Sequence, residues 1–137
     1  MIRVLLVCIF LAFSVVAIPA ESPRAAFSLA AGNWPQQIKA IETAIEGKEY
    51  SELSKENRTR LAEQFELVLA PDFDAGAGAD VEVAINQILG KAFADSKLVC
   101  VYEKPIGSNM KKRVCTTAAA KERARNLVQD SGVQVTN

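Results

Sequence analysis

Apolar residues recur at helical spacing in three stretches of the chain, and then the period changes. Ile38, Ile41 and Ile45 lie three and four residues apart behind Asn33-Trp34-Pro35, where a capping Asn and an early Pro suit the first turn of a helix. Gly47 stands where that helix should end. Leu61, Phe65 and Val68 make a second face, opened by Ser54 as cap. It closes before Pro71, because the residue preceding a proline resists the helical conformation. The third stripe, Val81, Ile85, Ile88, Leu89 and Phe93, is the best in the chain and predicts a helix over residues 81–95 with Asp80 as its cap. Trp34 and Tyr50 are expected at the aromatic rim of a small core.

From Lys97 the pattern is that of strands. Lys97-Leu98-Val99-Cys100-Val101-Tyr102-Glu103 is β-branched and aromatic, and Pro105-Ile106-Gly107-Ser108-Asn109 is turn chemistry. Lys112-Arg113-Val114-Cys115-Thr116 can return as the partner strand. Cys100 and Cys115 are nearly equidistant from the turn centre, so antiparallel pairing sets them opposite each other. A two-stranded hairpin alone is marginal, and the strands are therefore expected to lean on the helices. Thr117 then caps a last helix through Ala118, Ala120, Ala124, Leu127 and Val128, with Gly132 at its end.

The first residues obey a different logic. Met1-Ile2-Arg3 precedes an uncharged run from Val4 to Val16, with small residues at its exit. A short positive start, an apolar run and a small-residue exit are the parts of a secretory signal. The run is too short for a permanent span, which needs about 20 residues. Cleavage after Ala20 or after Ala17 fits, and Cys8 lies inside the run rather than behind a small residue at its exit, which argues against a lipoprotein anchor. The chain therefore divides into a signal peptide over residues 1–20, a flexible lead-in over 21–32, a single small globular domain over 33–131 and a loose tail over 132–137. Its setting is periplasmic or secreted, and no second apolar run is long enough for a membrane span.

Export changes the meaning of the cysteines. Cys100 and Cys115 remain after processing, and in an oxidising compartment an isolated pair is most simply a disulfide. A cysteine-based metal site would lack its other ligands, since the chain has no histidine. Closing a loop of this size is worth about 3 kcal/mol in the chain-entropy model. The expected fold class is α+β, mostly helical: three helices, a disulfide-stapled β-hairpin and a C-terminal helix.

Charge is balanced overall, 16 bases against 16 acids, but it is unevenly spread. Glu42, Glu46, Glu49, Glu52, Glu56, Glu63 and Glu66 crowd the helical part, whereas Lys97, Lys104, Lys111, Lys112, Arg113, Lys121, Arg123 and Arg125 dominate the C-terminal third. Such polarity either steers a partner or lets two solvated faces complement each other on folding.

The absence of histidine removes the usual general base and the Ser-His or Cys-His pair. No Gly-rich phosphate loop or zinc spacing is present, and the many Glu residues fall on helix faces where charge is expected. The chain is therefore read as a non-enzyme without a cofactor, with a hydrolase that works without histidine as the alternative. Asp72-Phe73-Asp74-Ala75-Gly76-Ala77-Gly78-Ala79-Asp80 invites a calcium reading, yet Ala77 stands at the sharp-turn glycine position and Val83 where a bidentate Glu is needed. A loop that joins two helices explains the same residues.

The better candidate is the hairpin turn: Lys104, Pro105, Ile106, Gly107, Ser108, Asn109, Lys111, Lys112 and Arg113, pinned at the base by Cys100 and Cys115. A preorganised basic loop suits recognition of a protein or an anionic surface, while a purely structural hairpin is the competing explanation. The expected partner is another exported or envelope protein, the module serving as an inhibitor or immunity-type protein against an envelope-directed enzyme. The alternative is a structural or stress-related envelope component that binds polymer or lipid head groups. Nucleic acid is a poor partner for an exported chain with one short basic patch. Oligomeric state is not legible.

Asn86-Gln87-Ile88-Leu89, Cys100, Gly107-Ser108-Asn109 and Arg113-Val114-Cys115-Thr116 together resemble a group of small exported proteobacterial proteins. Members place a Cys, a Gly-Ser turn and a second Cys followed by a Thr-led polar helix. The resemblance runs over residues 85–125 and more loosely over Tyr50, Leu53 and Arg58. It implies a bacterial envelope setting and brings no catalytic residue with it. Where many members carry a Trp in the last helix, this chain has Ala120-Lys121-Glu122.

Overall fold

The computed structural model describes residues 24–130. The signal expected over residues 1–20 and the tail expected over 132–137 lie outside the described residues. The described chain is α+β and mostly helical, with four α-helices and one antiparallel hairpin.

Helix α1 (Trp34–Ile45) buries Ile38, Ile41 and Ile45, as their spacing requires. Its Asn33 is the N-cap residue, but not through its side chain: it adopts the left-handed conformation (φ 44°, ψ 44°), and its carbonyl accepts from Gln36 N and Gln37 N. A 3-10 turn (Lys48–Tyr50) comes next and brings Tyr50 into the core. Helix α2 (Lys55–Leu69) opens on Ser54, whose hydroxyl accepts from Asn57 N at 3.2 Å, and buries Leu61, Phe65 and Val68. Arg58 on α2 reaches back to the exposed end of α1, donating to the Ile45 carbonyl and pairing with Glu46.

Helix α3 (Ala79–Ser96) begins two residues before the expected start, with Gly78 rather than Asp80 as its cap residue. A Cβ at Gly78 would meet the tip of the Phe73 ring at 2.5 Å, so a side chain there would require the ring to shift. Asp80 and Glu82 instead occupy the first turn, where negative charge complements the free N–H groups.

The lead-in also departs from expectation. Phe27 is buried in the core, and residues 25–32 are strapped to the helices by side chains that stand in for a neighbouring strand. Asn86 accepts from Phe27 N and donates to Phe27 O, and Gln37 does the same for Ser28 while also donating to Gly32 O. Ala25 N reaches the Tyr50 hydroxyl, Leu29 N the Glu82 carboxylate, and the Trp34 indole donates to Leu29 O. A segment whose backbone groups are met this way is part of the domain, not a loose lead-in.

The core is built from this strap, α1, the 3-10 turn, Leu53, α2 and α3, with Ile85 and Leu89 fully inaccessible. Strand β1 (Leu98–Glu103) pairs with β2 (Lys112–Thr117) in the expected register, Cys100 opposite Cys115. Helix α4 (Ala118–Asp130) begins at once, capped by the Thr117 hydroxyl, which accepts from Ala120 N. Neither the hairpin nor α4 buries a residue. The strands bury nothing in the helical core; the helix they lean on is α4, and beyond it they extend as an arm.

Candidate functional site

The arm is tied to the body at its base. Ala118 N donates to Lys97 O at 2.8 Å, closing the point where β1 leaves α3 and α4 returns. Glu52, in the link before α2, accepts from the Thr117 hydroxyl and receives both terminal nitrogens of Arg123 on α4, at 2.8 and 3.3 Å. Its own N–H donates to the hydroxyl of Ser96, the buried polar residue at the end of α3. The guanidinium first, and the Thr117 hydroxyl second, hold the Glu52 carboxyl below the usual carboxylate range. Sequence patterning counts Glu52 as one more helix-face acid; its place between the 3-10 turn and the α2 cap is the one hint that it does something else.

Beyond the base, the Cys100–Cys115 disulfide joins directly opposed residues whose Cα atoms are 4.0 Å apart. Arg113, opposite Tyr102, donates to Cys100 Sγ at 3.4 Å. At the far end, Ser108 N donates to Pro105 O at 3.0 Å, and Gly107 takes φ +83° as third residue of the turn, a conformation that side chains rarely adopt. Met110 N then donates to the Ser108 hydroxyl at 3.1 Å. The turn is thus closed by its own bonds and needs no support from the body.

The sequence-predicted residues are all brought together here, and they are nearly all exposed. Ile106 at the apex is 107% exposed and Met110 is 79% exposed. Lys104, Lys111, Lys112 and Arg113 surround the apex, with Glu103 the single acid in the hairpin. Patterning alone misses Met110 and Tyr102, the latter 71% exposed beside Arg113.

Elsewhere several charged groups are occupied with structure. Arg60–Glu56, Lys91–Asp95 and Arg125–Glu122 are surface pairs within single helices. In the Asp72 to Asp80 loop, Asp74 accepts from Gly76 N at 2.8 Å and so holds a turn. Among the described residues, no group of three or more His, Cys, Asp or Glu is placed to hold a metal ion. No protein-family model matches the chain, nor does any curated protein or solved structure.

Proposed function

We propose that the chain is an exported binding module of the cell envelope that acts by contact rather than by catalysis, with the hairpin turn as its contact surface. One observation carries this reading: the turn is closed by the staple below it and by its own hydrogen bonds, yet it contributes nothing to the core. A loop ordered in advance loses little freedom on binding, so its contacts convert efficiently into affinity. The disulfide suits an oxidising compartment, and no helix among the described residues is long and apolar enough to cross a membrane. The likeness of the Cys…Gly-Ser…Cys-Thr pattern to small exported proteobacterial proteins supports the same setting.

The basic, partly apolar turn suits two partner classes. One is an exported or envelope protein, held as an inhibitor or immunity protein holds its target. The other is an anionic component of the envelope itself, and the exposed apolar apex within a ring of bases favours it. Replacing Ile106, Lys111 and Arg113 together, as I106S/K111Q/R113Q, should abolish both capture of partners from a periplasmic extract and sedimentation with purified envelope. Far-UV circular dichroism should stay unchanged, because none of the three is buried. Unaltered capture and sedimentation would show the hairpin assignment to be wrong.

A further inference from the structure

We infer that the hairpin apex is a wedge for the surface of an anionic phospholipid bilayer, with Ile106 and Met110 entering the acyl boundary while Lys104, Lys111, Lys112 and Arg113 meet the head groups. This rests on the reading of the hairpin as the contact surface and names what it contacts.

The order of side chains along the arm carries the inference. Ile106 stands at the tip of the turn, Lys104 and Lys111 flank it, Lys112 faces Glu103 across the ladder, and Arg113 faces Tyr102 one step further back. At about 3.3 Å per residue, Lys104 lies roughly 7 Å behind Ile106, the Lys112–Glu103 step roughly 10 Å and the Arg113–Tyr102 step roughly 13 Å. The head-group layer of one leaflet is about 5–8 Å thick. When Ile106 has crossed that layer, Lys104 therefore lies in it, and Lys112 and Arg113 have side chains long enough to reach its outer edge. Tyr102 comes to the same level, where an amphipathic ring is well placed. A protein partner would impose no such ordering by depth.

Charge points the same way. Residues 98–117 carry four bases against the single acid Glu103, and none of the four forms an ion pair among the described residues. Their charges are thus available to an anionic surface, where each contributes about a five-fold factor in affinity. The apex needs no refolding to enter, since the turn bonds already fix it. With one short wedge and four cations, attachment is reversible and falls with added salt.

The test uses the exported protein with its disulfide formed, floated with vesicles of phosphatidylglycerol and phosphatidylcholine or of phosphatidylcholine alone. Binding is expected only to the anionic vesicles. I106S/M110S should weaken it at least tenfold, and K111Q/K112Q about 25-fold, each with unchanged circular dichroism. Tryptophan emission reports insertion directly: I106W should shift to shorter wavelength on anionic vesicles. The parent, whose only tryptophan is Trp34 in the body, should not shift. Equal binding by the parent and I106S/M110S would overturn insertion, leaving plain electrostatic adsorption. If no vesicle binds, but the parent retains one exported protein that I106S/M110S loses, the lipid inference falls and the hairpin remains the contact surface. If the parent holds neither vesicle nor protein, both readings fall.

Discussion

The helical body and the arm that leaves it are stabilised in opposite ways. In the body, Phe27, Tyr50, Leu61, Val68, Ile85 and Leu89 are all but sealed from water, and each such side chain contributes about 1.5–3 kcal/mol by burial. In the arm and the α4 helix that follows it, Leu98 is 71% and Leu127 70% exposed, and order comes chiefly from one ladder, one disulfide, one helix cap and one clasp at Glu52. Burial is cooperative and spreads through the body; the arm's devices are local and act where they stand. The hairpin can therefore carry apolar and charged side chains that a core would reject, without drawing on the stability of the body. The two regions should accordingly unfold separately.

The largest effect tests the body. Leu89→Ala should cost about 2–5 kcal/mol in denaturant unfolding, because the side chain is fully enclosed in the core. Leu127→Ala on α4 should stay within about 0.5 kcal/mol. Equal costs would erase the distinction between the regions. Next in size is the staple. Cys100→Ser with Cys115→Ser removes about 3 kcal/mol of loop constraint, but from a hairpin that shares no buried residue with the core. Hydrogen exchange should accelerate at β1 and β2 amides while α1 to α3 amides keep their protection. If protection is lost across the whole molecule, the arm is part of the cooperative unit after all.

The strap gives a third and smaller test. Asn86→Ala would leave Phe27 N and O without partners, for a loss of about 1–3 kcal/mol by thermal unfolding. A cost near zero would mean that water serves those groups equally well, and that the segment is held by Phe27 alone.

Legibility in the sequence divides along the same line. The three stripes, the turn and the opposed cysteines are local patterns, set by periods and spacings of a few residues, and they stand in the structure where those periods place them. The strap has no period: its order is supplied by Gln37, Glu82 and Asn86, the last 59 residues away from its partner Phe27. Gly78 rather than Asp80 stands at the start of α3, beside the Phe73 ring of the same loop, a contact that spacing cannot reveal. Two strands alone are marginal, and by that rule the hairpin should lean on the helices. It leans on α4 alone, and the staple above and the Glu52 clasp below supply the rest. For the site, turn chemistry locates the apex, but only exposure shows that Ile106, Met110 and Tyr102 have no role in packing.

The smallest effect concerns the clasp, and pH gives it a signature. Glu52 has a folded pKa held below the ordinary carboxylate value by Arg123 and Thr117. Its contribution is therefore complete above the ordinary carboxylate pKa and is lost as pH falls through the lower, folded value. The amides of Ala118 and Ala120, bonded to Lys97 O and to the Thr117 hydroxyl, sit beside the clasp and report on it. After correction for intrinsic exchange rates, both should open more readily on acidification, ahead of any change in α1 to α3. Glu52→Gln keeps an acceptor for Thr117 but removes the charge, so it should show faster exchange already at neutral pH and little further response to acid. Arg123→Gln should do the same, since the guanidinium is the larger cause of the depressed pKa. A parent protein whose Ala118 and Ala120 protection ignores pH, or a Glu52→Gln variant that titrates like the parent, would show that the arm is held by its chain connection alone.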